Sequence, residues 1–235
     1  MLYFSPLIRR SLFVLLFITG GVQAAEECRP ATDDKKPQYL VTYGSHIHDL
    51  MQVSQAQKPQ LEIPVWVKDY KRGWFMRSKH TDEKKMTRLG VAPSNNDRFN
   101  GVLISTSTKM LSTYDKKSPC RVKVNRSQLQ TMNNIAVPTE GEFWIYQVRD
   151  FKYTVKAPEA DYQIMQSYID RFLTNCIQQA KRFNLGSFAD ACVTSTKNWS
   201  KHWANDRRAP LEKQIVQTQP QKVDNLLKKY EGKLF

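Results

Sequence analysis

The residues of this chain that could carry chemistry begin with Tyr43-Gly44-Ser45, which directly follows a strand-like run at 39–42. A glycine followed by a small hydroxyl residue lets the backbone turn sharply, so that several N–H groups can point at one place. That geometry suits a carboxylate or a phosphate. The alternative is an ordinary turn that ends a strand, and only other segments of the chain can decide between the two interpretations.

Five further titratable residues each have a structural explanation that we favour over a chemical one. Asp115 follows a helix-like segment, where a surface acid is expected rather than a catalytic base. Glu140 and Glu142 flank a turn before a strand, which favours a solvated turn over a place in a cleft. His46 and His48 share a face on a strand but not on a helix, and two surface histidines are expected rather than a metal pair.

The four cysteines are Cys28, Cys120, Cys176 and Cys192. An even number of cysteines, in a chain whose first 24 residues have the pattern of a secretory leader described below, predicts two disulfides formed in an oxidising compartment. We favour the pair Cys176 and Cys192, because they lie on neighbouring helix-like segments, which leaves Cys28 with Cys120. The alternative is buried free thiols. No two cysteines have the spacing of zinc ligands, so we expect no metal and no other cofactor.

Residues 1–24 have the pattern of a secretory signal peptide. Arg9 and Arg10 precede an apolar stretch at 12–22, and small residues then stand before Ala25. The apolar stretch is too short for a membrane span. We therefore expect a mature protein that starts near Ala25, is exported to the periplasm or secreted, and has no stable membrane insertion.

The chain of 235 residues is strongly basic. Its formal net charge is +14, which falls to +12 when the two arginines of the leader are removed. Such a surface favours anionic partners. The basic residues are scattered, and no nucleic-acid-binding motif accompanies them, so we expect no nucleic acid as a partner.

Strand patterns come first along the chain and helix patterns follow. Strands are predicted at 39–42, 61–67, 74–76, 100–105, 120–124 and 142–148, and Asn100-Gly101 is predicted to be a turn. Helices are predicted at 47–53, at 108–114 with Ser107 or Thr108 as the cap, and at 160–182, 188–194 and 221–230. This order predicts an α+β domain with a mixed or antiparallel sheet.

Four segments, in order and spacing, resemble the gamma-glutamylcyclotransferase (AIG2-like) family. They are Tyr43-Gly44-Ser45; Lys71-Arg72-Gly73-Trp74; Phe99-Asn100-Gly101-Val102-Leu103 with Leu111-Ser112-Thr113-Tyr114-Asp115; and a C-terminal block with Gln166-Ser167-Tyr168-Ile169-Asp170, Asn175-Cys176, Thr196-Lys197-Asn198-Trp199 and Trp203-Ala204-Asn205-Asp206-Arg207-Arg208-Ala209-Pro210. The resemblance implies a mixed sheet or small barrel followed by C-terminal helices. It covers one domain at 39–210, between an extended lead-in at 25–38 and a polar linker with a terminal amphipathic helix at 211–235.

The chemistry that the resemblance implies is intramolecular. In a γ-glutamyl amide the α-amino nitrogen attacks the γ-carbonyl, which gives 5-oxoproline and releases an amine. The protein must hold the α-carboxylate so that the chain folds back, offer N–H donors to the developing oxyanion, and supply a carboxylate for proton transfer. By resemblance, Tyr43, Gly44 and Ser45 form the substrate cradle, and His46 occupies its fourth position instead of asparagine.

Ser118 occupies the position at which the family has its proton-transferring glutamate. A serine hydroxyl cannot act as a general base near neutral pH without help, and the family chemistry is then lost. Whether the protein is an enzyme therefore stays open. Three hypotheses remain: an exported cyclotransferase with a displaced base; an inactive relative that binds a γ-glutamyl or other small acidic ligand, such as a cell-wall peptide; and a secreted interaction protein.

Overall fold

The structure, a computed structural model, describes residues 27–44, 60–78, 85–148, 153–210 and 218–234. The predicted leader and the predicted helix at 47–53 lie outside these ranges. The described strands are β1 (Gln38–Thr42), β2 (Glu62–Ser78), β3 (Arg88–Thr106), β4 (Cys120–Lys123), β5 (Leu129–Thr131), β6 (Glu142–Gln147), β7 (Tyr153–Val155), β8 (Ile164–Met165), β9 (Thr196–Lys197) and β10 (Trp203–Ala204). The described helices are α1 (Thr108–Asp115), α2 (Gln166–Arg182), α3 (Ser187–Thr194) and α4 (Pro220–Lys228).

The principal sheet is mixed, and helices follow it in the chain, which confirms the predicted α+β class. Its strand order is β4-β6-β1-β3-β2-β5, and β7 and β9 also pair with β2. The pairs β1–β6 and β2–β9 are parallel and the others are antiparallel. These pairings of the described strands form an open sheet and not a closed barrel. A separate parallel pair joins β8 and β10.

Strand β2 is continuous, although the sequence predicts two strands at 61–67 and 74–76. Its pairing with β3 shifts between Lys68 and Tyr70, where Asp69 adopts a φ of 64°. A residue in the left-handed region absorbs the extra length of a bulge, so the strand continues past it. The expectation of two separate strands is therefore wrong.

Asn100 and Gly101 lie inside β3 and do not form the predicted turn. Asn100 is completely buried, and its side-chain amide donates to the carbonyl of Phe188 in α3 (2.9 Å). A Cβ atom on Gly101 would lie 2.9 Å from the backbone oxygen of Thr42 in β1. The two residues therefore allow β3 to contact a helix and its neighbouring strand closely, which explains why turn-type residues occur within a strand.

Helix α2 begins at Gln166, six residues after the predicted start at 160. The residues just before it form β8, whose Ile164 N–H donates to the carbonyl of His202 (2.9 Å). Asp206 accepts hydrogen bonds from the backbone N–H (2.8 Å) and hydroxyl (2.6 Å) of Ser167, which satisfies the start of the helix. Pairing with a distant segment thus overrides the helical pattern of residues 160–165.

The terminal helix α4 packs against α2 and α3. Val223 is completely buried and Leu226 nearly so, in the same apolar cluster as Phe172 and Phe188. The hydroxyl of Tyr230, just beyond the helix, donates to Asp190 of α3 (2.8 Å). The apolar face of this amphipathic helix is therefore covered by the rest of the fold.

Arg72 of β2 is buried and joins the sheet to the helical part. Its Nε donates to Thr196 (3.0 Å) and its Nη1 to the backbone oxygen of Asn100 (2.5 Å). Its Nη2 donates to the Asn100 side chain (2.9 Å), the Cys192 carbonyl (3.1 Å) and the Ser195 hydroxyl (3.1 Å). Each of these acceptors is neutral, so hydrogen bonds replace the water that the guanidinium group loses.

The two cysteine pairs are Cys28 with Cys120 and Cys176 with Cys192, as the sequence predicts. Their Cα–Cα distances are 5.2 and 6.4 Å. The first disulfide attaches the lead-in segment to the start of β4. The second disulfide joins α2 to α3. The sheet and the helical part of the fold therefore each contain one disulfide.

Arg72→Met should lower the free energy of unfolding by about 3–5 kcal/mol, because several buried acceptors lose their donor at once. Urea denaturation of both proteins measures the difference. The matched control is Arg98→Met on β3, since Arg98 also stacks on an aromatic ring, 4.5 Å from that of Trp66, but is exposed. We expect the control to lose less than about 1 kcal/mol. Equal losses in the two variants would contradict the assigned role of Arg72.

Candidate functional site

The turn after β1 requires its glycine. Gly44 has a φ of +68°, in the left-handed region where other residues are strained, and an added Cβ atom would lie 2.9 Å from Leu89 Cδ2. Tyr43 is buried, and its hydroxyl donates to the backbone carbonyl of Tyr146. Burial raises the pKa of Tyr43 well above its ordinary value, so this hydroxyl stays a donor at neutral pH.

A cleft opens beside this turn. The empty space at this cleft, together with the solvent at its mouth, is about 300 Å³. The residues that line it come from β1, the turn after β1, α1, the turn after α1, and β6. They are Leu40, Val41, Thr42, Tyr43, Tyr114, Ser118 and Tyr146. The structure therefore brings together Tyr43, the first residue of the predicted cradle, and Ser118, the residue predicted to replace the glutamate, which are 75 residues apart in the chain. Of the other three predicted cradle residues, Gly44 forms the turn but is not among the lining residues, and Ser45 and His46 lie outside the described residues.

Ser118 lies in the tight turn between α1 and β4. Its backbone N–H donates to the carbonyl of Tyr114 (2.9 Å), and its carbonyl accepts from Nη2 of Arg29 (3.2 Å). Only 8% of the residue is exposed. Arg29 belongs to the lead-in next to Cys28, so the first disulfide attaches the lead-in at the edge of the cleft.

Asp115 is largely buried and ion-paired, so its interpretation as a surface acid is wrong. Arg121 donates to both of its carboxylate oxygens, from Nε to Oδ1 (3.0 Å) and from Nη2 to Oδ2 (3.1 Å). The hydroxyl of Tyr146 also donates to Oδ1 (2.8 Å). The Arg121 guanidinium stacks 4.4 Å from the ring of Trp144. This carboxylate is therefore held by two donors and does not line the cleft.

Tyr146 connects this ion pair to the cleft. Burial raises the pKa of Tyr146, and the hydrogen bond to Asp115 and its negative charge raise it further. Burial alone raises the pKa of Tyr114 to about 12. The phenols of Tyr114 and Tyr146 are thus neutral at physiological pH and are not bases. Tyr146 already donates its only O–H to Asp115, so Tyr114 is the phenol that can donate into the cleft.

Glu142 holds the lead-in segment and is not a solvated turn residue as predicted. Its carboxylate accepts from the Asp33 backbone N–H (2.9 Å), Gln38 Nε2 (3.2 Å) and Lys123 Nζ (2.9 Å). Burial raises the pKa of Glu142, but these three donors outweigh it, so the pKa lies below its ordinary value. Glu140 is exposed, as expected.

The C-terminal motifs contribute to packing and not to the cleft. Asp170 of α2 pairs with Arg207 (2.7 and 2.8 Å), which also pairs with Asp224 of α4 (2.6 and 2.9 Å). Trp199 stacks on Trp203 with ring centroids 6.0 Å apart. The aspartate, arginine and tryptophan residues of these motifs therefore hold the C-terminal segments together.

Tyr114 and Tyr146 line the cleft, although the sequence does not single them out as site residues. The pattern around Tyr146 is that of a packing aromatic such as Trp144, which is fully buried. The available signal was the period of two in β6, which puts both aromatic rings on one face, with Tyr146 nearer the strand end. Strand ends are where a side chain can be both packed and part of a cleft.

The described residues contain no group of three or more histidine, cysteine, aspartate or glutamate side chains that could hold a metal ion. None of the described helices has the length and apolar character needed to cross a membrane.

No protein-family model matches this chain, and no curated protein matches it. Several solved structures are similar to it. A gamma-glutamyl cyclotransferase is 13% identical, with a TM-score of 0.47 over 83% of this chain and 99% of that chain. An uncharacterised human protein is 13% identical, with a TM-score of 0.45 over 82% of this chain and 99% of that chain. A yeast gamma-glutamyl cyclotransferase specific to glutathione is 11% identical, with a TM-score of 0.39 over 83% of this chain and 99% of that chain. At these identities and scores the likeness concerns the fold and says nothing of activity.

Gly44→Ala should lower the free energy of unfolding by about 1–2 kcal/mol, because alanine is strained at positive φ and its methyl group meets Leu89. Chemical denaturation measures this loss. Gly186→Ala is the matched control, since Gly186 has a φ of −55° and nothing lies within 4 Å of an added Cβ atom. We expect the control to gain about 0.4–1 kcal/mol. A neutral Gly44→Ala would show that the turn does not need the left-handed conformation.

Glu142→Gln should remove part of the acid sensitivity of the fold. The pKa of Glu142 is lower in the folded than in the unfolded state, so its contribution is present above the unfolded value of about 4.3 and is lost as the pH falls through the folded value. The variant should be less stable than the wild type at pH 7 and lose less stability on acidification, as thermal unfolding between pH 3 and 7 would measure. The control is Glu140→Gln, at an exposed position two residues away, whose stability should depend on pH as that of the wild type does. If the stability of Glu142→Gln also ran parallel to that of the wild type, Glu142 would not be the acid-sensitive group.

Proposed function

We propose that this protein is exported and binds a γ-glutamyl or other small acidic ligand in the cleft beside Tyr43, without cyclising it. The observation that carries the proposal is the position of Ser118. The residue lies in the same cleft as Tyr43, where the resemblance expects both the substrate cradle and the proton-transferring glutamate.

Cyclisation needs a base that takes a proton from the attacking amine and returns one to the leaving amine. None of the described residues that line the cleft is a carboxylate. The nearest described acid of the sequence motif, Asp115, already accepts from Arg121 and Tyr146. Proton transfer by this acid would require breaking a buried ion pair, which costs several kcal/mol.

Binding of such a ligand, unlike its cyclisation, does not require a proton-transferring base. The Gly44 turn supports the hypothesis of backbone N–H donors for the α-carboxylate, and the neutral phenol of Tyr114 can donate a further hydrogen bond. The apolar side chains of Leu40 and Val41 also line the cleft and suit the methylene groups of a glutamyl side chain.

Export is supported by the signal pattern of residues 1–24 and by the two disulfides, which persist in oxidising compartments. Peptidoglycan stem peptides contain a γ-linked glutamate and occur outside the cytoplasm of bacteria. They are therefore reasonable ligands to include beside simple γ-glutamyl amino acids.

The mature protein should bind γ-glutamyl amino acids saturably in isothermal titration calorimetry and release no 5-oxoproline from them. Ser118→Glu should gain turnover, because it restores a carboxylate to a cleft whose other parts are intact. Ser118→Gln is the matched control, with the same size and no base, and should stay inactive.

Two outcomes would contradict the proposal. Release of 5-oxoproline by the wild type well above that of a Gly44→Asp variant would show that the protein is an active cyclotransferase with another base. Absence of saturable binding for every γ-glutamyl compound tested would remove the assigned ligand class.

A further inference from the structure

The polar side chains that line the cleft differ in whether the fold already uses them. The hydroxyl of Thr42 donates to the Val102 carbonyl (3.0 Å), and that of Tyr43 donates to the Tyr146 carbonyl. The hydroxyl of Tyr146 donates to Asp115 (2.8 Å). A hydroxyl has a single O–H, so none of these three side chains offers a donor to a ligand.

The other two lining hydroxyls, those of Tyr114 and Ser118, are not used by the described part of the fold. Both residues form hydrogen bonds through their backbone groups, but no described residue is a hydrogen-bond partner of either side chain. Neither hydroxyl oxygen is sealed inside the protein. Each can therefore donate one hydrogen bond to a ligand and accept another.

The two hydroxyl residues are neighbours on one helical turn. The backbone N–H of Ser118 donates to the Tyr114 carbonyl (2.9 Å), which is the spacing of an α-helical bond, although α1 itself ends at Asp115. Side chains four residues apart on such a turn lie next to each other. The ring of Tyr114 also packs against the apolar cluster that contains Trp144 and Tyr146. The pair is thus held in place by contacts that do not involve the hydroxyl groups.

The cleft around this pair carries no charge. The described residues that line it include neither a cationic nor an anionic side chain. A carboxylate that entered here would lose its water without meeting a cation, whereas a neutral amide needs only hydrogen bonds. The pair therefore suits the neutral part of a ligand and not its acid group, which the proposed function assigns to the Gly44 turn.

We propose that the hydroxyls of Tyr114 and Ser118 bind the γ-amide of the ligand, with Tyr114 donating to its carbonyl oxygen and Ser118 accepting from its N–H. A secondary amide has one acceptor and one donor, and the pair offers a donor and an acceptor one helical turn apart. A γ-ester has the carbonyl but lacks the N–H, so the site distinguishes the two through Ser118. This inference rests on the proposed function.

The test uses two probes that differ only in N–H against oxygen, γ-glutamylmethylamide and the γ-methyl ester of glutamate. In isothermal titration calorimetry the wild type should bind the amide about three- to ten-fold more tightly than the ester, since one hydrogen bond is lost. Ser118→Ala should bind the amide about three- to ten-fold more weakly and lose this preference. Tyr114→Phe should weaken the binding of both probes by a similar factor and keep the preference, because both probes have the carbonyl.

The control separates the loss of a phenol from the loss of a ligand contact. Tyr39→Phe changes a partly buried tyrosine of β1 that stacks on Phe143, with ring centroids 5.2 Å apart, and does not line the cleft. It should leave both affinities unchanged. Tyr114→Phe and Ser118→Ala should change the melting temperature by less than about 2 °C, because the fold does not use their hydroxyls.

Each result decides one way. A wild type that binds the amide, with unchanged affinity in Tyr114→Phe and Ser118→Ala, would overturn this inference alone. A wild type that binds amide and ester equally, or a Ser118→Ala variant that keeps the preference, would also overturn it. A wild type that binds neither probe would overturn the proposed function and this inference with it.

Discussion

The buried charge of Arg72 is the constraint on which the arrangement of sheet and helices depends. Burial lowers its pKa to about 9, which still leaves it protonated at neutral pH. A buried cation is tolerated only when its donors are satisfied, and the donors of Arg72 reach β3, the end of α3 and β9 together. Residues far apart in the chain must therefore come to one point before the core can close.

The same side chain also supports the candidate cleft. Its guanidinium lies 5.3 Å from the ring of Phe99, and that ring contacts Tyr43 edge-on with centroids 5.8 Å apart. Tyr43 in turn donates to the carbonyl of Tyr146. A continuous series of packed aromatic groups therefore leads from the buried charge to the turn after β1. One wall of the cleft is therefore attached to the packed core, as the proposed binding of a small ligand in one orientation requires.

The sequence predicts those features whose signals are local. The cap of α1 and the bounds of β6 follow from a few adjacent residues and are confirmed to within one residue. The bulge at Asp69 is not visible in the residue types around it, and Asp115 meets its arginine partner only after the chain has turned back. For the site, the motif order identified Tyr43 and Ser118, and the structure places both in one cleft. Tyr146 was missed as a cleft residue because a packing aromatic and a cleft-lining one have the same pattern.

The polar groups around the cleft differ in whether the fold already satisfies them. Asp115 and Tyr146 bind each other, so their hydrogen bonds maintain the shape of the site and are not free for proton transfer. Ser118, which the resemblance assigns to the position of the proton-transferring carboxylate, has only a hydroxyl. The Tyr114 phenol, which lines the cleft, is a neutral donor. A cleft whose neighbouring acid is already paired, and whose lining keeps a neutral donor, suits the proposed binding of a ligand without proton transfer.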